Sequence, residues 1–190
     1  EQAINLPGRG RLWLDHPDRL RPSLSLVPLD RAKSGSIRSV APARGEKVVA
    51  LTFDLCERNN EVSGYDGRII DILRRRGVKA TLYVGGKWMA SHPERTLQLI
   101  ADPLFELGNH AWTHGNLRVL GGDAALDQIQ WTQAQYEALR EALERTPCYR
   151  RVAARNPRLE LQPSLLTLRY PYGTCSSETL QLAARLGLPS

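Results

Sequence analysis

The sequence has little cysteine and no long apolar run. Only three of its 190 residues are cysteine. Three cysteines are too few for a disulfide scaffold, and because no two of them form a C-x-x-C pair they define neither a zinc ribbon nor a dithiol redox motif. No stretch reaches the roughly 18 apolar residues that a membrane span needs, so none is predicted. No signal peptide opens the chain at Glu1-Gln2-Ala3, although a mature form trimmed of its signal would begin in the same way.

Two further absences narrow the class of protein. No G-x-G-x-x-G motif follows the first predicted strand, which argues against a dinucleotide site. The net charge is +6, but the arginines are scattered along predicted helices and form no basic stripe interleaved with aromatic residues, so nucleic acid is not expected as a partner. Hydrophobic residues at 42% and charged residues at 24% are ordinary for a globular protein. The length is that of one domain.

The chain divides into two regions of different pattern. Residues 1–46 hold five prolines and four glycines without sustained periodicity, which predicts an irregular N-terminal leader. Strand-like and helix-like patterns alternate through residues 47–190, which we expect to form the catalytic domain.

Four strand and helix pairs are predicted in the second region. This alternation is typical of an α/β fold with a parallel sheet and right-handed crossovers. Four such units fit either an open doubly wound sheet or the first half of a barrel. The first strand contains a short apolar run, as a strand buried on both faces would, and residues 146–163 are predicted to be irregular. The strands are 47–54, 80–84, 104–107 and 165–168, and the helices are 66–77, 92–100, 123–145 and 177–186.

Chemically active side chains follow the predicted strand ends. Asp54 closes the first strand, His110 and His114 follow the third, and Arg169 follows the fourth. The carboxyl ends of parallel strands meet at one edge of a sheet, so we expect these side chains to converge. Singly, each has a structural interpretation: a capping aspartate, loop histidines bonded to backbone, an ion-pairing arginine. Together they fit a hydrolytic metal site, where imidazoles bind the ion and a carboxylate removes a proton from water.

Three motifs at these positions resemble the polysaccharide deacetylase family, which includes chitin, chitooligosaccharide and peptidoglycan N-deacetylases. The family's first motif is Thr-Phe-Asp-Asp, its second His-Ser/Thr-x-x-His and its third Arg-x-Pro-Tyr-Gly. The matching stretches occur in the same order, and the resemblance covers residues 47–190. They are Leu51-Thr-Phe-Asp54, His110-Ala-Trp-Thr-His114 and Arg169-Tyr-Pro-Tyr-Gly173.

The resemblance implies a parallel (β/α) barrel of the polysaccharide deacetylase type. It implies a periplasmic or secreted hydrolase that removes N-acetyl groups from an N-acetylated glycan such as peptidoglycan or chitin. A divalent metal, usually zinc and sometimes cobalt or nickel, would be bound by His110 and His114. Asp54 would be the general base and Arg169 would hold its carboxylate. Substrate binding would fall to the turn that contains Pro171 and Tyr172.

One departure from the family concerns the metal ligands. Leu55 stands where the first motif has a second aspartate, which is a metal ligand in the family. A third ligand would then come from Glu57 or from Cys56, whose softer sulfur suits zinc. Cys56 and Cys175 also follow the first and third motifs, so a disulfide between them in an oxidising compartment is favoured over thiolate ligation. Cys148 would remain as the odd thiol.

A second departure concerns the end of the sequence. The chain stops at Ser190, where a fifth strand should begin. The family's aspartate-tryptophan motif and its late, proton-donating histidine are absent, so we expect the fold to be truncated after about four βα units, with the general acid outside this sequence. A half barrel would leave a sheet edge open, which predicts a second copy or another partner covering it.

Two alternative functions stay open. The chain would be a hydrolase of another non-peptide C–N amide bond, or a glycan-binding module that has lost much of its catalysis. Leu55 and the missing C-terminal motifs favour the binding module. Retention of a base, two imidazoles and a base-holding arginine favours the enzyme, because binding alone requires none of them.

Overall fold

Three parallel strands form the sheet of the protein. The structure is a computed structural model, and it describes residues 16–42, 45, 47–56, 65–156 and 159–190. The strands β1 (Thr52–Leu55), β2 (Ala80–Val84) and β3 (Phe105–Asn109) lie in the order β1-β2-β3. The prediction of an α/β fold with a parallel sheet is therefore confirmed.

Six α-helices surround this sheet in the described ranges. The ends of α1 follow its sequence, because the Asp66 side chain accepts the Arg68 N–H at its start and Gly77, at φ 62°, ends it. Within the same ranges, no helix is long and apolar enough to cross a membrane. The helices are α1 (Gly67–Arg76), α2 (Gly86–Ser91), α3 (Pro93–Ile100), α4 (Gly122–Glu144), α5 (Pro147–Arg155) and α6 (Ser177–Arg185).

The first strand is shorter than the predicted 47–54. Its pairing with β2 begins at Thr52, opposite Thr81. The Val48 and Val49 side chains before it are 66% and 85% exposed, so the prediction that this run is buried on both faces is wrong over its first half. The reason is that β2 begins only at Ala80 and offers no backbone partner to the residues before Leu51.

The predicted fourth strand, 165–168, is reduced to one parallel bridge between Leu168 and Asn109. Side-chain amides replace the missing strand bonds. Gln162 Oε1 accepts the Leu107 N–H at 2.9 Å, and Gln162 Nε2 donates to the Leu107 carbonyl. Gln133 of α4 does the same for Leu165, accepting its N–H at 3.2 Å and donating to its carbonyl at 2.9 Å. Because these backbone groups are satisfied by glutamines, a regular ladder does not extend along the segment.

The prediction that residues 146–163 are irregular is wrong, because α5 occupies half of that stretch. Thr146 caps this helix by accepting the Tyr149 N–H, and Pro147 is its first residue. No residue of α5 is buried. The helix therefore lies at the surface, and its capping signal, Thr146 followed by Pro147, marks its start in the sequence.

Two hydrophobic clusters hold the elements together. The first lies between the sheet and the helices that follow β1, β2 and β3, and includes Leu55, Leu82, Trp88 and Tyr136. The second joins α4, α6 and the segment around Leu168. The apolar side chains of these two clusters are removed from water, which is the main favourable contribution to folding.

The leader packs against the domain. Residues 16–42 are irregular except for a single 3-10 turn at Arg31–Lys33. Leu26 packs on the second cluster, and the Leu29 N–H donates to the Ala184 carbonyl at 2.9 Å. A buried carboxylate fixes the earlier part: Glu137 of α4, with a side chain 1% exposed, accepts the backbone N–H groups of Ser23 at 2.6 Å and Leu24 at 3.0 Å.

We expect Glu137→Ala to loosen the leader and destabilise the fold. The change leaves two backbone N–H groups of the leader without their acceptor, which costs about 2 kcal/mol, or about 4–8 °C in melting temperature for a protein of this size. Thermal unfolding followed by circular dichroism measures the loss. Glu144→Ala, which removes a partly exposed ion pair with Arg140 on the same helix, is the control and should melt close to wild type, because such pairs contribute about 0–1 kcal/mol. Equal melting of the two variants would contradict the role of Glu137.

Candidate active site

The predicted site residues meet in one open cleft at the carboxyl ends of the strands. The cleft has a volume of about 650 Å³. The structure thus brings together the side chains that the strand-end argument predicts to converge. Its lining includes Asp54, Tyr83, His110, His114, Arg169 and Tyr172.

Arg169 holds Asp54 across the cleft. Its Nη1 donates to Asp54 Oδ1 at 2.8 Å, and its Nη2 donates to Thr52 Oγ1 at 2.9 Å. The guanidinium also lies over the Tyr83 ring, 4.1 Å from the ring centroid. The carboxylate of Asp54 is 41% exposed, so it faces the cleft with Oδ1 fixed by the arginine.

His110 is buried and oriented for ligand binding. Its Nδ1 lies 2.9 Å from the Arg169 carbonyl. A carbonyl only accepts, so Nδ1 carries the proton and Nε2 of the neutral ring keeps a lone pair. Burial lowers the pKa of His110 below its ordinary value, against the opposing effect of Asp54. Nε2 has no hydrogen-bond partner among the described residues, and Asp54 Oδ2 lies 3.8 Å from it.

A wound turn brings His114 beside His110. Ala111 and His114 adopt φ values of 62° and 58°, a region that residues other than glycine seldom occupy. The buried Asn109 stabilises the turn: its Oδ1 accepts the Ala111 N–H and its Nδ2 donates to the Ile129 carbonyl, both at 2.9 Å. The two imidazole centroids are 4.9 Å apart as a result. Such strain in the backbone is concentrated at functional sites.

Cys56 completes a group of three metal-ligand side chains. Its sulfur and one ring nitrogen each of His110 and His114 all lie within 4.8 Å of one another. Zinc is bound in proteins by donors of these two kinds. All three cysteines lie in the described part of the chain, and none is disulfide-bonded, so the favoured Cys56–Cys175 disulfide is wrong. The other predicted candidate ligand, Glu57, lies outside the described residues.

Leu55 points away from the cleft. Successive strand residues face opposite sides of a sheet, and while Asp54 faces the cleft, Leu55 is 2% exposed and belongs to the first hydrophobic cluster. The position at which the family's motif has its second aspartate is here a core position.

The turn that contains Pro171 and Tyr172 forms one rim of the cleft. Tyr172 has φ 60° and is 55% exposed, and its ring centroid lies 4.6 Å from that of His114. Pro171 is buried behind it. An exposed aromatic face beside the His114 imidazole is a surface on which a sugar ring can pack.

Three positioning residues were not identified from the sequence. Tyr83 and Thr52 orient Arg169, and Asn109 stabilises the histidine turn. Asn109 directly precedes His110, and asparagine is a residue that bonds to the backbone of its own turn. The sequence therefore contained a signal for the role of Asn109. Tyr83 carried none, because alternation along β2 shows which face it occupies but not what it contacts.

An acid fixed by an arginine beside two buried imidazoles, at the carboxyl edge of a parallel sheet, is the arrangement expected of a hydrolytic site. Comparison with known proteins agrees. Residues 41–190 match the family model described as polysaccharide deacetylase. The chain belongs to the polysaccharide deacetylase family.

Proteins with similar sequences include named deacetylases of peptidoglycan and chitin. The chain is 31% identical over 112 residues to the peptidoglycan-N-acetylmuramic acid deacetylase PdaC of Bacillus subtilis, covering 59% of this chain and 21% of that protein. It is 33% identical over 104 residues to a chitin deacetylase of Pestalotiopsis sp., covering 54% of this chain and 32% of that protein. The chain spans less than half the length of the curated relatives it matches, 44% in one case and 21% in two others.

Among solved structures, the chain is similar to BA3943 of Bacillus anthracis, described as a CE4 family pseudoenzyme. The identity is 25% and the TM-score 0.55, over 75% of this chain and 42% of that one. A mutant of the same protein with restored enzymatic activity gives a TM-score of 0.56 at 27% identity, over 75% of this chain and 43% of that one. The fold is therefore shared with both active and inactive proteins.

We expect Leu55→Asp, which recreates the family's Asp-Asp pair, to destabilise the protein. The new carboxylate would enter the hydrophobic cluster, and losing the leucine contacts while burying a charge costs about 3 kcal/mol or more, about 6–12 °C in melting temperature. Leu55→Met preserves the volume and is the control for the measurement by thermal unfolding. A Leu55→Asp variant that melts like wild type would show that this side chain reaches the cleft.

Proposed function

We propose that the chain is the catalytic part of a metal-dependent N-deacetylase that acts on an N-acetylated glycan. One observation carries the proposal: Asp54, held by Arg169 at 2.8 Å, lies 3.8 Å from the buried Nε2 of His110 in an open cleft. Metal-assisted hydrolysis requires a general base beside an imidazole nitrogen whose lone pair can bind the metal. In this proposal the three strands belong to a (β/α) barrel.

His110 and His114 would hold the metal, and their donor chemistry fits zinc, cobalt or nickel. A bound divalent ion would supply a Lewis acid for the acetamide carbonyl and water made acidic enough to lose a proton near neutral pH. The Arg169 carbonyl supports ligation by accepting the Nδ1 proton of His110. An outer hydrogen bond of this kind fixes the ring and increases the basicity of the ligand nitrogen.

Asp54 is the residue that would remove the proton from the attacking water. Its Oδ1 is occupied by Arg169, while Oδ2 faces His110. The proton transfer therefore falls to Oδ2, which is directed at the place where the reacting water would lie. Thr52 and Tyr83 hold the guanidinium, so the carboxylate does not have to be reoriented during the reaction.

Tyr172 supports a sugar substrate. Its exposed ring stands at the rim of the cleft beside His114 and would pack on a pyranose ring while the acetamide reaches Asp54. The relatives named for peptidoglycan and chitin both act on polymers of N-acetylated sugars, and the shared group is the acetamide. The peptidoglycan relatives also support a location outside the cytoplasm. A second copy or other partner covering an open sheet edge stays a prediction.

A glycan-binding module with little turnover is the second candidate. The observation that favours it is Leu55, because the family's aspartate ligand is absent and the side chain present is buried. The similarity in fold to a pseudoenzyme also favours this second candidate. This candidate predicts that the protein retains acetylated chitooligosaccharides but releases no acetate.

Acetate release from acetylated chitooligosaccharides and from peptidoglycan tests the proposal. We expect release that stops on chelation and returns with zinc, cobalt or nickel. Asp54→Asn keeps the shape of the residue and removes the base, which should lower kcat by about 100-fold to 10,000-fold.

Asp71→Asn, on α1 and away from the cleft, is the matched control for that variant and should keep the wild-type rate. No acetate release with any of the three metals would contradict the deacetylase proposal. Release that survives chelation would contradict its metal dependence.

A further inference from the structure

Cys56 lies at the point where β1 ends, next to the two histidines that would hold the metal. Its sulfur and the nearest nitrogens of both imidazoles fall within 4.8 Å of one another. Ligand atoms bound to one zinc ion at bond lengths of about 2.0–2.3 Å lie roughly 3.5 Å apart in tetrahedral geometry. Small side-chain movements are therefore enough to bring all three donors to one ion.

The backbone holds Cys56 in this place. At the start of α2, the Gly85 N–H donates to the Leu55 carbonyl at 2.8 Å, and the Gly86 N–H donates to the Ala111 carbonyl at 3.1 Å. Gly85 lies between the two segments, since a Cβ there would be in van der Waals contact, at 3.5 Å, with both the Cys56 Cα and the Ala111 oxygen. One short segment thus joins the end of β1 to the histidine turn, and the proximity of the sulfur to the imidazoles follows from backbone hydrogen bonds.

A second, independent observation indicates a ligand at this point. The His110 side chain is 2% exposed, and its Nε2 has no hydrogen-bond partner in the described ranges. Buried polar atoms in native proteins are almost always satisfied. An ion shared with Cys56 would satisfy this nitrogen, whereas Leu55, buried in the hydrophobic cluster, supplies no donor to it.

We propose that Cys56, as a thiolate, is the third protein ligand of the centre, which makes it a two-histidine, one-cysteine site. The inference rests on the proposed function and specifies its metal chemistry. The Cys56 thiol loses its proton to solvent when the ion binds. A thiolate favours zinc and cobalt(II) over magnesium, calcium and manganese. With three protein donors, a tetrahedral ion retains one position for water, as in catalytic zinc sites.

Cobalt(II) titration of the reduced protein tests the ligand directly, because a cobalt–thiolate bond gives a charge-transfer absorption in the near ultraviolet. We expect the band to rise to one equivalent in wild type and to be absent in Cys56→Ser, which is close to wild type in shape. Affinity in Cys56→Ser should fall by more than the roughly 10–100-fold that loss of an outer hydrogen bond costs. Cys148→Ala, in exposed α5, is the control and should keep both the band and the affinity.

The remaining variants separate this inference from the proposed function. Cys175→Ala should keep the band, and loss of the band in this variant with its persistence in Cys56→Ser would overturn the assignment. Cobalt binding without any charge-transfer band in wild type would also overturn it, even if acetate release stayed metal-dependent. Acetate release that persists in chelator would contradict the proposed function whatever the cobalt spectra show. Circular dichroism melts show whether each variant is folded, and loss of the band in a folded variant reports loss of the ligand.

Discussion

The guanidinium of Arg169 is the interaction on which the geometry of the site depends. Arg169 directly follows Leu168, whose bridge to Asn109 lies at the β3 side of the sheet. Its guanidinium lies over the Tyr83 ring of β2 and donates hydrogen bonds to Asp54 and Thr52 of β1. Its own carbonyl accepts from His110. One residue thus holds the Asp54 carboxylate through its side chain and orients the His110 imidazole through its backbone. The rigid fork of arginine suits this role, since lysine has no planar group with which to bind two oxygens and stack on a ring.

Much of the site could be predicted from the sequence, because the sequence indicates where the strands end. Apolar runs located β2 and β3, and parallel strands place their carboxyl ends at a common edge. Asp54, His110 and Arg169 therefore converge as expected. The supporting contacts were less accessible. The stacking of Arg169 on Tyr83 joins residues 86 positions apart, and no local pattern encodes a contact of that kind.

The predictions that proved wrong, for the fourth strand, α5 and the disulfide, have local physical causes. Gln162 and Gln133 satisfy backbone groups that a fourth strand would have paired, so an apolar run at 165–168 gives a single bridge. The helix α5 has no buried residue, and its cap marks its start in the sequence. The disulfide prediction rested on Cys56 and Cys175 following motifs at a shared edge. Sharing an edge is weaker than the bonding geometry a disulfide requires, and the backbone frame around Gly85 places Cys56 beside the histidines.

We propose that the residues at the ends of β1 and β3 and after the Leu168 bridge form one hydrolytic metal centre with Asp54 as its base. Anomalous X-ray diffraction at the zinc absorption edge, from crystals of the protein equilibrated with zinc, tests it most directly. We expect a single strong peak at bonding distance, about 2.0–2.3 Å, from His110 Nε2, His114 and Cys56, with Asp54 within reach of a water on the ion. A strong peak elsewhere, with none between these side chains, would contradict it.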